Sequence, residues 1–288
     1  MLQVARLAPR LLRDATELVH RFLGSQLAPG VAFVDRAGKP DLYYSVFGLE
    51  CLLALQEPPP EPSIAPFVRE RASDENAGLV HLGCLARCDA ALGGTALSDR
   101  DRSRILERVA ACRTPDGSWA EEPGRDIGTV YGAFIALGIH QDLGETFPAE
   151  GLASFLRGVE TPDGAYANER GIPLGSIPAT AAAVNVLRHI GVAPRPEAGD
   201  WLLSRWNVKS GGFFAIAGAP LPDLLSTATA LHTLASLERS IEPIRDACLD
   251  FVDSLWTSEG SFYGHWAETT LDTEYTFYGL LALGHLAV

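Results

Sequence analysis

The chain has 288 residues, 47% hydrophobic and 20% charged, with 36 acidic against 23 basic residues and a formal net charge of -13. That balance suits a soluble globule with a large core and excludes nucleic acid or an anionic membrane surface as an expected partner, because phosphate binding needs a positive field. No apolar run reaches the roughly 18 residues of a membrane span, and the five cysteines (Cys51, Cys84, Cys88, Cys112, Cys248) are odd in number and scattered, so they read as reduced core residues.

At the N-terminus Arg6, Arg10 and Arg13 interleave with leucines, and no uninterrupted apolar core or small-residue cleavage site follows, so a cytoplasmic location is expected. An amphipathic helix is predicted over 8–25. Gly30 and Phe33 then lead to Asp41 and LYYSVFGLECL, a helix that must stop before Pro58, Pro59 and Pro60. Asp74 opens ENAGLVHLGCL without a glycine turn before it. Gly117-Ser118-Trp119 leads to Asp126 and IGTVYGAFIAL, and Gly164-Ala165-Tyr166 leads to Ser176 and IPATAAAVNVL. Gly211, Gly212, Phe213 and Phe214 lead to Asp223 and LLSTATALHTL, and Gly260-Ser261-Phe262 leads to Asp272 and TEYTFYGLLAL.

These six helix starts are spaced by 33, 52, 50, 47 and 49 residues, and further helices are predicted at 62–72, 98–112, 147–158, 194–206 and 240–256. The pattern reads as six helical hairpins, all α, and as a single domain over residues 1–288, since repeats that cannot bury their faces alone stack into one unit. Asp or Ser at each start is expected first of all as an N-cap, accepting from the free N–H groups of the first turn. Counted from these caps, columns +4, +8 and +11 are nearly uniformly apolar and form the face that packs on the other helices. The opposite columns vary: +2 holds Tyr43, Asn76, Gly128, Pro178, Leu225 and Glu274, and +6 holds Phe47, Val80, Gly132, Ala182, Thr229 and Tyr278. Column +9 includes Glu50, Asn185 and His232, and column +13 includes Arg87 and His285.

The glycine-aromatic turn followed by Asp or Ser, three residues and Ser or Thr is clearest in GGFFAIAGAPLPDLLSTATAL and DTEYTFYGLLAL. On these motifs, over residues 8–288, the chain resembles the superfamily of terpenoid cyclases and protein prenyltransferase β subunits, built from prenyltransferase/squalene oxidase repeats. The resemblance implies an (α/α)6 toroid, six inner and six outer helices around a funnel that takes isoprenoid chains, with the varied columns facing the centre. Prenyltransferases of this kind hold zinc with an Asp at the start of the fifth inner helix, a Cys two residues later and a His three residues into the sixth. Here Asp223 stands with Leu225 and Tyr275, and one carboxylate does not make a zinc site. The positions of the diphosphate-binding Arg and Lys hold Ala217 and Pro220. Class II cyclases protonate an alkene with the middle Asp of a DxDD motif, whereas the six starts read DLYY, DENA, DIGT, SIPA, DLLS and DTEY. No metal and no cofactor are expected, and a proton donor would be a substitute.

Glu50 is one such substitute, because a carboxyl inside the apolar VFGLECLLAL favours its protonated form, as a general acid requires. Asp272 and Glu274, two residues apart at the start of the sixth inner helix, would form a carboxylate pair at the funnel mouth, and Asp223 is a further catalytic candidate. His232, interrupting TATALHTLASL, is the candidate base. Tyr43, Tyr44, Phe47, Asn185, Thr229, Tyr275 and Tyr278 are candidates for lining the substrate, the aromatic faces shielding cationic character. Arg36, Arg125 and Arg170, on loops before inner helices, would seat an anion at the helix N-termini. No phosphate-cradling glycine motif and no Gly-x-Ser-x-Gly elbow is present.

The expected function is a terpene-cyclase-like enzyme that binds a hydrophobic, isoprenoid or polyene substrate and cyclises or isomerises it by metal-independent acid/base chemistry. The alternatives are a non-catalytic lipid-binding or scaffold toroid, and a divergent prenyltransferase β-like subunit that needs a partner chain.

Overall fold

The computed structural model describes residues 1–288, apart from the side chains of residues 61 and 62. Helices alternate along the chain as the repeats require: α1 (Leu2–Ala5), α2 (Pro9–Leu12), α3 (Thr16–Ser25), α4 (Leu42–Ala54), α5 (Glu61–Arg71), α6 (Leu79–Ala91), α7 (Asp99–Ala111), α8 (Val130–Leu143), α9 (Leu152–Gly158), α10 (Ile177–His189), α11 (Ala198–Ser204), α12 (Leu224–Ser236), α13 (Arg245–Asp253) and α14 (Thr273–Leu286). Among the described residues, extended pairing is confined to isolated antiparallel bridges, such as Trp206 with Phe213 and Phe213 with Asp223.

The contacts group into two compact units, Met1–Ile64 with Leu202–Val288, and Ala65–Trp201. In the first, α14 packs on α4 and α12, with α1 and α13 also against it. In the second, α8 packs on α6 and α10, and α7 covers α6 and α8. The predicted start of α7 holds in detail: Ser98 and Asp101 form a reciprocal capping box.

The repeated motif is explained by hydrogen bonds rather than by chemistry on a substrate. Each turn buries one aromatic, with Trp119, Tyr166, Phe213 and Phe262 at most 1% exposed, while Phe214 is half-buried. The Ser or Thr four residues after the cap then clamps the turn to the helix. Thr227 Oγ1 accepts the Phe213 N–H at 3.0 Å and donates to the Asp223 carbonyl at 2.7 Å. Ser45 does the same between Phe33 and Asp41, at 3.2 and 2.6 Å. Thr180 accepts from Tyr166 N–H at 3.2 Å, and Thr276 meets Ser261 at 2.7 Å while donating to the Asp272 carbonyl. A fixed hydroxyl at this place satisfies a buried N–H that the bridge leaves over. The turn glycine has its own cause at Gly211 and Gly260. Their φ values are 80° and 93°, and a Cβ there would run into the backbone carbonyls of Ala247 and Leu18.

Four caps stand where the sequence puts them: Asp41, Ser176, Asp223 and Asp272 accept from Tyr44, Ala179, Ser226 and Tyr275 N–H. Two starts are corrected. Asp74 closes an Asx turn on Asn76 N–H, and α6 begins later, at Leu79, with Gly78 at the cap position and no side-chain cap. Asp126 gives way to Thr129, whose side chain accepts from Gly132 N–H. With the register moved, Val130, Ala133, Ala136, Leu137 and His140 form the buried stripe of α8. Gly128 and Gly132, placed in columns +2 and +6 by the sequence count, therefore fall outside those columns. Gly132 sits where a Cβ would meet the Trp119 carbonyl, so it lets the first turn of α8 close on its own aromatic turn.

Candidate functional site

In the unit of Met1–Ile64 and Leu202–Val288, the first turns of α4 and α14 lie side by side because the two helices pack along their length. Tyr43 and Glu274, each two residues past its cap, meet directly: Tyr43 Oη donates to Glu274 Oε1 at 2.7 Å. Burial pushes the Glu274 carboxyl above the usual carboxylate range, the Tyr43 bond and Arg36 opposing and Asp272 adding to the rise. One turn deeper, Phe47 stands edge-on to Tyr43 at 5.0 Å and tilted against Tyr278 at 5.8 Å. Glu50, 6% exposed, lies about two turns along α4 from Tyr43. The columns +2 and +6 of these two helices thus share one side, as the sequence predicts.

Asp272 is 1% exposed and, besides its cap, is bound by one guanidinium through two nitrogens. Arg36 Nε reaches Asp272 Oδ2 at 2.9 Å and a terminal nitrogen reaches the same oxygen at 2.8 Å, while the other terminal nitrogen is 3.3 Å from Glu268. The guanidinium also lies 5.6 Å from the centre of the Tyr275 ring. Burial works against the cation, and the Asp272 bond and charge outweigh it, so Arg36 is held protonated more firmly than a free arginine. Arg36 is therefore an internal latch in this structure, and an anion drawn to it would compete with two carboxylates. Asp223 is tied to Ser226, accepting from its N–H at 2.6 Å and its hydroxyl at 2.8 Å. Burial raises the Asp223 carboxyl, partly offset by these bonds and by His265. Burial likewise raises the Tyr44 and Tyr275 hydroxyls.

Toward the other end of α12 and α14, His232 Nδ1 and His285 Nε2 face each other at 3.0 Å. Burial, then the charge of the chain's amino terminus, pushes His232 down to about 3 and His285 to about 4, with His285 adding to the shift of His232. Both rings are neutral near pH 7. Thr229 is 7% exposed and donates to the Leu225 carbonyl at 2.7 Å, so its proton is committed within the helix.

The remaining candidates lie in the unit of Ala65–Trp201. Asn185 is half-buried on α10. Arg125 pairs with Glu122 at 2.6 Å with both side chains exposed, a contact of little energetic weight. Arg170 lies 3.9 Å from Asp116 and over the Phe155 ring. Arg87, on the inner stripe of α6, pairs with Asp142 of α8 at 2.8 Å.

A family model described as the prenyltransferase alpha-alpha toroid domain matches residues 71–213 and 179–287, well over half of the chain. The chain belongs to the prenyltransferase alpha-alpha toroid family. Solved structures agree on the fold. The type II terpene cyclase MstE from Scytonema superposes with a TM-score of 0.62 at 13% identity, covering 99% of this chain and 98% of the other. Candida albicans protein geranylgeranyltransferase-I, complexed with GGPP, gives 0.59 at 14%, covering 99% and 83%. A glycosidase complexed with glucose gives 0.54 at 13%, covering 99% and 97%. No match is found among curated proteins. Three chemistries on one fold leave this toroid's activity to be argued from its own residues.

The zinc set of the family's prenyltransferases does not fit this chain: Asp223 is bonded to Ser226, Leu225 and Tyr275 supply no metal donors of that set, and no group of three His, Cys, Asp or Glu is placed to hold a metal among the described residues. Two features of this chain were concealed in its sequence. Glu268 and the pairing of His285 with His232 enter only with the structure. His285 had a signal, a polar residue in the otherwise apolar FYGLLALGHL, but its partner lies on another helix. No helix among the described residues is long and apolar enough to cross a membrane.

Proposed function

We propose that this six-repeat toroid, acting as one domain, binds an isoprenoid or polyene substrate without a diphosphate and cyclises or isomerises it by metal-independent acid/base chemistry. The observation that carries the reading is the Tyr43–Glu274 pair: a carboxyl kept toward its protonated form by burial, held at one oxygen, beside the aromatic rings of Phe47 and Tyr278. An acid with that environment suits proton delivery to an alkene, and ring faces stabilise the cation that results. Glu50 is the deeper carboxyl of the same helix pair and Asp272 anchors the Arg36 latch. His232, neutral, is the base that collects a proton when the cation collapses. The known binding of geranylgeranyl dihydroxybenzoate by the MstE cyclase, and of GGPP by the geranylgeranyltransferase, supports the substrate class. The carboxylates on Arg36 argue against a diphosphate seat.

The test is incubation of the purified protein with squalene, a geranylgeranylated hydroxybenzoate and geranylgeranyl diphosphate, with and without a chelator, followed by chromatography and mass spectrometry. The expected product is an isomer of unchanged mass from one of the first two, formed equally in chelator. Loss of turnover in chelator, or release of diphosphate, contradicts the reading. Binding without any product favours the non-catalytic lipid-binding toroid.

A further inference from the structure

His232 and His285 sit on neighbouring helices, α12 and α14. Their rings are 5.2 Å apart between centres and tilted by 60°, with one nitrogen of each aimed at the other across 3.0 Å. Two neutral imidazoles in that arrangement share one proton: one nitrogen donates and the other accepts. The pair then presents one bare nitrogen at one end and one N–H at the other. Among the described residues, neither outer nitrogen has another hydrogen-bond partner. Beyond them α1 packs against α14, with the Val4 carbonyl where a Cβ on Gly284 would be.

We propose that His232 and His285 form a two-imidazole proton relay, His285 accepting the proton that His232 passes on. The inference rests on the acid/base reading above. In the step that ends the reaction, a C–H bond next to the cationic carbon breaks and its electron pair becomes the new alkene. The proton goes to His232 Nε2. The Nδ1 proton of His232 crosses to His285 Nε2, and His285 releases its Nδ1 proton to solvent. Each ring takes one proton and gives one, so both end neutral, and solvent exchange of the outer protons resets the tautomers. The depressed basicity of both rings suits a relay that must not store the charge.

Two measurements test this. In protein labelled with 15N-histidine, long-range proton–nitrogen correlation should place the shared proton on His232 Nδ1, with His232 Nε2 and His285 Nε2 bare, either alone or averaged with the opposite tautomer that solvent exchange regenerates. A pair found only with the shared proton on His285 Nε2, where His232 Nε2 is already protonated, overturns the relay whether or not a substrate has been found, so failure of the relay and failure of the proposed activity are distinguishable. Where turnover is found, His285→Gln should leave KM and the melting temperature near wild type, since Gln still bonds His232, but lower kcat by about 10- to 100-fold, because an amide does not pass a proton on. Unchanged kcat in that variant also overturns it.

Discussion

Replacing Glu274 by Gln is expected to lower turnover of the polyene by about 10²- to 10⁴-fold, the range typical of a lost general acid. The amide oxygen of Gln can still accept from Tyr43 Oη, which now bonds Glu274 Oε1 at 2.7 Å, so the packing of α4 on α14 is kept. Stability should not fall. The Glu274 carboxyl is raised by burial, so its native state binds a proton more tightly than the unfolded chain, and stability declines as pH rises from the unfolded value through the folded one. A neutral Gln removes that decline. A variant that loses activity while melting no lower than wild type at pH 7 separates a chemical role from a structural one. Tyr43→Phe gives the sign of the tuning. The Tyr43 bond lowers the Glu274 carboxyl, so its loss raises it further, and the basic limb of the kcat/KM profile should move to higher pH.

The second large effect is on the fold. Phe213→Ala is expected to cost about 3–5 kcal/mol, read from urea denaturation, because Phe213 is fully buried and its removal leaves a cavity that rigid neighbours do not fill. Thr227→Val should cost less, about 1–3 kcal/mol, since it leaves the buried Phe213 N–H without its acceptor. Neither change should alter which product forms. A Phe213 variant as stable as wild type would mean that the glycine-aromatic turn is not the structural clamp described.

What could be read in the sequence follows from these same clamps. Where Asp or Ser caps a helix and Ser or Thr four residues later ties back the aromatic turn, the repeat carries its own register, and α4, α10, α12 and α14 begin where expected. α6 has no side-chain cap, and α8 is capped by Thr129, with Asp126 left in the turn before it. DIGTV holds two residues able to cap, and only the burial of Ala133, Leu137 and His140 decides between them. The site was visible as separate columns and hidden as pairs. Tyr43 and Glu274 lie 231 residues apart, and only the packing of the first inner helix on the last brings them together. Arg36 looked like a free loop cation because its partners, Glu268 and Asp272, belong to the opposite end of the chain.

The most direct measurement is turnover in heavy water, with the product weighed. Proton delivery from an exchangeable carboxyl to an alkene predicts a product heavier than its light-water counterpart by one deuterium, in wild type and, at a much lower rate, in Glu274→Gln. A product of unchanged mass in heavy water, or no product from any polyene, would contradict the account.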